Sequence, residues 1–229
     1  NSRNFTLLGD PAMKLAYPKY GVVTTNLPDT MKALSKVTVS GYVVDGDGAK
    51  LESFNGTIFP VVFDKSSTIQ TLSNDAFGAF SFNLRRNILF KGKASVTDGD
   101  FTFTFVVPRD INYSFGVGKI SYYFEDGQQD GHGYSLDFEI GGSETNVAED
   151  TAGPEAQLYM NDETFVFGGL TDEHPDLLAH VFDENGINTV GNGIGHDIVA
   201  VLDANTSQAI VLNDFYESDL DSYQRGSIR

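Results

Sequence analysis

The chain has 229 residues, with 15 Lys and Arg against 32 Asp and Glu, a net charge of −17 and neither Cys nor Trp. That length suits two ordinary domains or one large β domain. The negative charge excludes nucleic acid and a bare anionic membrane surface as partners, because both are gripped by clustered cations. The lack of Cys excludes a disulfide framework, a thiolate zinc site and a cysteine nucleophile within the chain.

The charge is unevenly placed. Residues 151–229 hold 14 acidic residues and only two basic ones, Arg225 and Arg229, whereas residues 1–150 hold 18 acids and 13 bases. The acids are interspersed with Phe, Leu, Val and Ile, so a packed core is expected instead of disorder. No apolar run reaches the ~18–20 residues needed to span a bilayer, so direct membrane insertion is not expected. The chain opens at Asn1 without a signal peptide and stops at Arg229, which reads as a piece of a longer exported polypeptide.

Residues 1–32 are short apolar clusters cut by Pro11, Pro18, Gly21 and Pro28, which suits an extended connector or the end of a preceding domain. From Lys36 the pattern alternates: Val37, Val39, Gly41 and Val43 against Thr38, Ser40 and Tyr42 predict a half-buried strand. Asp45-Gly46-Asp47-Gly48 then turns the chain back toward a strand at Gly56–Phe59. Further strands are predicted at 80–84, 93–96, 101–107, 119–124 and 134–140, separated by turn residues such as Asp98-Gly99 and Glu125-Asp126-Gly127. No helical pattern of 10–15 residues intervenes, which favours an antiparallel sandwich over βαβ units.

A polar stretch over 143–152 reads as a linker. Beyond it, strands are predicted at 157–160, 177–182, 198–202 and 209–212, with a glycine-rich loop of Gly186, Gly191, Gly193 and Gly195 between two of them. The expected architecture is all-β: two consecutive β-sandwich domains of immunoglobulin-like or prealbumin-like type, over 33–142 and 153–229, the second incomplete because four strands are few for such a fold.

The chemistry-bearing residues point to no catalytic, cofactor-binding or metal site. His132, His174, His180 and His196 lack the spacing of a metal motif, and Pro175 lies between the middle two. Asp45–Gly48 and Asp183-Glu184-Asn185-Gly186 are acidic turns; an EF-hand needs more oxygen ligands, so at most an adventitious calcium ion is expected. Gly191–Asp197 is no phosphate cradle, because a β-branched run follows it and residues 151–229 contain no Lys. There is no G-x-S-x-G elbow. Phe101, Phe103 and Phe105 share one strand face, and Tyr113, Phe115, Tyr122, Tyr123 and Phe124 follow; these aromatics are expected in the core, with an exposed sugar-binding row as the alternative.

Three groups of segments resemble a known family. Phe5–Leu15, with its Leu7-Leu8-Gly9-Asp10-Pro11-Ala12 run, resembles the motif that closes the catalytic domain of gingipain-like cysteine peptidases. Phe54-Asn55-Gly56, Val62-Phe63-Asp64-Lys65 and Gly116–Tyr122 resemble the domain that follows it. Gly186-Ile187-Asn188-Thr189, Gly195–Ile198 and Val211–Tyr216 resemble the next one. Together they resemble the sortase, or signal-peptidase, branch of that family, which serves type IX secretion in Bacteroidetes.

The resemblance implies a parent on the outer face of the outer membrane that removes the C-terminal signal domain of secreted cargo and helps attach the cargo to the cell surface. It implies as partners an upstream peptidase domain of the same polypeptide, outer-membrane components of the secretion system and the cargo. The family's catalytic Cys and His have no counterpart here, so the chain is expected to be a proteolytically inert accessory region. A carbohydrate-binding or plain spacer module is the alternative.

Overall fold

The computed structural model describes residue 12 and residues 17–74, 78–145, 152–188 and 197–229. The Phe5–Leu15 motif, His196 and most of the Gly191–Asp197 loop lie outside the described residues. Among those described, the chain is built of strands, and helix is confined to 3₁₀ turns of three residues. This is the expected all-β, sandwich-type fold.

In chain order, the first unit contains β1 (Gly21–Asn26), β2 (Thr30–Ala33), β3 (Lys36–Val44), β4 (Gly56–Phe63), β5 (Ser67–Gln70), β6 (Ser81–Leu84), β7 (Ile88–Lys91) and β8 (Ala94–Thr97). It continues through β9 (Asp100–Val106), β10 (Gly116–Val117), β11 (Lys119–Glu125), β12 (Asp130–Ser135) and β13 (Glu139–Ser143). Seven strands follow one another by hydrogen bonding in the order β1-β3-β9-β8-β4-β11-β12, and β7 attaches to β4. The sheet rolls over until its ends meet: Tyr20 bridges Gly131, and the His132 N–H donates to the Tyr20 carbonyl at 3.1 Å. Closure demands glycine, since a Cβ on Gly131 would stand 2.1 Å from the Phe124 ring and 2.9 Å from Tyr20. The opposite walls of this one rolled sheet are the two layers of the sandwich.

The period-two pattern decides what fills the interior. Val37, Val39 and Val43 of β3, Ile58 and Val62 of β4, Phe101, Phe103 and Phe105 of β9, and Ile120, Tyr122 and Phe124 of β11 are all buried in one core. A three-stranded sheet, β10-β13-β2, adds Met31, Ala33 and Ile140 to it. Burial lifts the Tyr122 phenol to about 12 despite its 2.9 Å hydrogen bond to Thr24. Phe101, Phe103, Phe105, Tyr122 and Phe124 are buried and form no exposed sugar-binding row, whereas Tyr113, Phe115 and Tyr123 are exposed.

Two features differ from the sequence-based expectation. The stretch read as a connector supplies β1 and β2: Val22, Val23, Thr24 and Thr25 are β-branched, and the prolines flank the strands instead of interrupting them. The single strand expected at 134–140 is two, β12 and β13, separated at residues 136–138, where Asp137 takes a turn hydrogen bond from its own N–H to the Ser135 hydroxyl.

The second unit contains β14 (Glu155–Met160), β15 (Leu177–Phe182), β16 (Val199–Ala200), β17 (Ile210–Val211), β18 (Tyr216–Ser218) and β19 (Arg225–Ile228). They make a four-stranded sheet, β14-β15-β19-β18, and a two-stranded ribbon, β16-β17. The strands expected at 198–202 and 209–212 shrink to two residues each, because Asp203 and Ala204 adopt φ of 51° and 56° and turn the chain away. Among the described residues, Ala179, Val181, Tyr216 and Ile228 are buried together here, against twenty-one residues in the first core.

Candidate docking site between the two units

The first sheet is split along one seam. β8 pairs with β4 through Ala94, Ser95 and Val96, but with β9 only through Val96–Phe101 and Thr97–Asp100. β9 then veers off with β3, to which it pairs from Lys36–Val106 to Tyr42–Asp100. Phe90 of β7 stacks on Phe105 at 4.9 Å and Phe103 at 5.8 Å across the divergence. The β9-facing backbone of Lys93 and Ser95 is left without a strand partner.

The turn between β18 and β19 supplies one. The Asp221 N–H donates to the Lys93 carbonyl at 2.9 Å. The Asp221 carboxylate accepts the Ser95 N–H and the Ser95 hydroxyl, both at 2.7 Å. Asp221 reaches this position with φ of 58°, a left-handed conformation that Asp tolerates better than most residues. Beside it, the Lys93 ammonium donates to Glu217; that hydrogen bond, reinforced by the lysine's charge, holds the Glu217 carboxyl below its ordinary value of 4.5. Tyr223 packs against the first core, with Lys36 Nζ 5.3 Å from its ring centre. We call this set of contacts the latch.

The wall of the second unit is itself braced. Ile187 N–H donates to the Tyr223 carbonyl at 3.1 Å, and Gln224 Nε2 donates to the Glu184 carbonyl at 2.6 Å. Gly186 takes φ of 102° and passes so close to Tyr223 that an added Cβ would lie 2.9 Å from the ring, a position only glycine fills without strain. Burial, with the Asp219 charge behind it, pushes the Tyr216 phenol well above its ordinary value.

Between the units lies a cleft of ≈ 830 Å³. Its floor is apolar, made by Leu89, Phe90, Phe105 and Val107, and its rim carries Lys36, Lys91 and Arg109 on one side and Glu184 on the other. No ion pair among the described residues engages Lys36, Lys91 or Arg109. In a chain of net charge −17 this is a local excess of positive charge.

The residues weighed from sequence lie elsewhere. His132 and His174 are exposed, while His180 is half-buried with Nε2 2.9 Å from Glu163 Oε1. Asp45 turns its carboxylate onto the N–H groups of Asp47 and Ala49, both at 2.9 Å, and Asp183 does the same for Asn185 at 2.8 Å; both segments are closed turns. The resembling motifs of the first unit serve packing. Phe54 is buried edge-on against Phe124 at 5.1 Å, and Asp64, 2% exposed, pairs with Lys65 Nζ at 3.0 Å. A Cβ on Gly118 would meet Phe138 at 2.4 Å. Sequence reasoning missed the cleft altogether; the unclaimed edge of β8 has no signature in its own residues.

No protein-family model matches the chain, and no curated protein matches it. Among solved structures, dimeric latent PorU from Porphyromonas gingivalis superposes with a TM-score of 0.58 at 30% identity, over 96% of this chain and 22% of PorU. The chain thus spans about a fifth of the length of that structure. Spo0M, a sporulation control protein from Bacillus subtilis, shows 15% identity and a TM-score of 0.33 over 73% of this chain and 76% of its own. The likeness to PorU is a likeness to part of a much longer protein, and it supports the relationship that the sequence motifs suggested.

Proposed function

We propose that the chain is a non-catalytic β region of a type IX secretion sortase, which holds the peptidase domain of the same polypeptide and presents surfaces to secretion partners and cargo on the outer face of the outer membrane. The observation that carries this reading is the superposition of nearly the whole chain on part of PorU at 30% identity. The latch supports it, because a region that only separated two domains would not need its two units fixed by Asp221, Glu217 and Tyr223. The chain contains no Cys, so a thiolate nucleophile has to come from another part of the polypeptide.

The test separates chemistry from organisation. In the full-length parent, Asp221→Ala combined with Lys93→Ala should leave hydrolysis of a small peptide substrate intact while removal of the signal domain from whole cargo falls. Equal loss of both activities would mean that the variant simply unfolds the enzyme. Undiminished cargo processing would remove the organising role. The isolated chain should cleave neither substrate.

A further inference from the structure

We infer that the cleft between the units is an acceptor site for an extended, acidic peptide segment that adds as a strand to the outer edge of β7. This goes beyond the secretory reading and does not depend on it. Among the described residues β7 pairs with β4 alone, which leaves its other edge without a strand partner there, and Leu89, Phe90 and Lys91 on it all line the cleft. β9 walls the opposite side; from Thr102 to Val106 its edge away from β3 has no strand partner among the described residues. Two open edges facing one groove offer main-chain donors and acceptors to an incoming strand, which is how extended peptides gain affinity without a preformed pocket for every side chain.

The choice of an acidic occupant follows from charge. Lys36, Lys91 and Arg109 rim the groove with no ion pair among the described residues, and the half-buried Phe90, backed by the buried Phe105 and Val107, lies at its apolar floor. A strand presents alternate side chains to opposite sides. An occupant alternating carboxylate and branched apolar residues would therefore set its acids on the rim and its apolar groups on the floor. The volume is within the range of peptide and small-ligand sites. The same latch that fixes the second unit keeps the groove open to one strand, since Asp221 already fills the seam at Lys93 and Ser95 and stops the occupant from running further along β8.

The probe is the hexapeptide fluorescein-Glu-Val-Glu-Val-Glu-Val-amide, labelled at its N-terminus, titrated into the 229-residue chain at low salt and followed by anisotropy. Saturable binding is expected, weakened about tenfold or more in Lys36→Ala/Lys91→Ala/Arg109→Ala, since rim pairs each contribute a modest share. It should weaken again at high salt. Because Lys36 also lies over the Tyr223 ring in the latch, the double variant Lys91→Ala/Arg109→Ala, whose two side chains are exposed and outside the latch, is the control: it should melt with the parent and weaken binding in the same direction. The same peptide N-methylated at alternate residues should not bind, a readout that needs no variant at all. Absence of saturable binding, equal binding of the Lys-Val counterpart, unchanged affinity in the triple variant, full binding by the methylated peptide, or displacement by millimolar inorganic phosphate would each overturn the inference.

Discussion

The Asp64–Lys65 pair shows how one residue ties a loop to the core. Lys65 Nζ lies 3.0 Å from the buried Asp64 carboxylate and donates at 2.6 Å to the Asn112 carbonyl, and its side chain lies against Gly116, where a Cβ would come within 2.8 Å of it. Removing one member of a buried pair leaves the other charge desolvated and uncompensated, which costs more than the pair itself contributes. Lys65→Ala is expected to destabilise the chain by about 3 kcal/mol in urea unfolding. The Lys65 backbone N–H, which also donates to Asp64 at 2.8 Å, remains and keeps the loss from being larger.

At the scale of the elements, the latch is the part most open to perturbation. Asp221→Ala removes two hydrogen bonds to Ser95, which contribute about 1–2 kcal/mol where they are exposed. The first unit should keep its melting temperature while limited proteolysis begins to cut between the units. Glu217 adds a pH dependence. Its carboxyl is lowered in the folded chain, so its contribution is present above the unfolded value and is lost as pH falls through the folded one. Protease sensitivity between the units should therefore rise as pH falls below the ordinary carboxyl value of 4.5 in the parent and change less in Glu217→Gln; Glu217 is largely exposed, so the effect is small.

The legibility of the sequence divides along the same line. β3, β9 and β11 were readable because one face is buried along their whole length and the apolar residues alternate without a break. β18 and β19 were not. Tyr216-Glu217-Ser218 and Arg225-Gly226-Ser227-Ile228 are too short and too polar for a period to emerge; β19 is held extended by pairing with β15, and β18 by pairing with β19 and by the latch. The cleft was hidden for a different reason: Lys36, Lys91, Arg109, Gly186 and Tyr223 are spread over most of the chain and meet only through topology.

For the molecule as a whole, the two cores are unequal. Among the described residues, twenty-one are buried in the core of the first unit and four in that of the second, whose Phe167 and Leu170 are 99% and 101% exposed. Stability scales with apolar burial, so the second unit leans on the latch and the first does not lean on it. Hydrogen exchange should show β14, β15 and β19 opening well before β3, β9 and β11. A single cooperative transition with uniform protection would contradict this.

The seam in the first sheet also sets a timetable. Ser95 and the Asp221 that caps it are 126 residues apart in the chain. A chain delivered N-terminus first, from a ribosome or across a membrane, presents the bare backbone at β8 before the residues that cap it have followed. Until Asp221 arrives, the chain shows a short, unsealed sheet margin to everything around it.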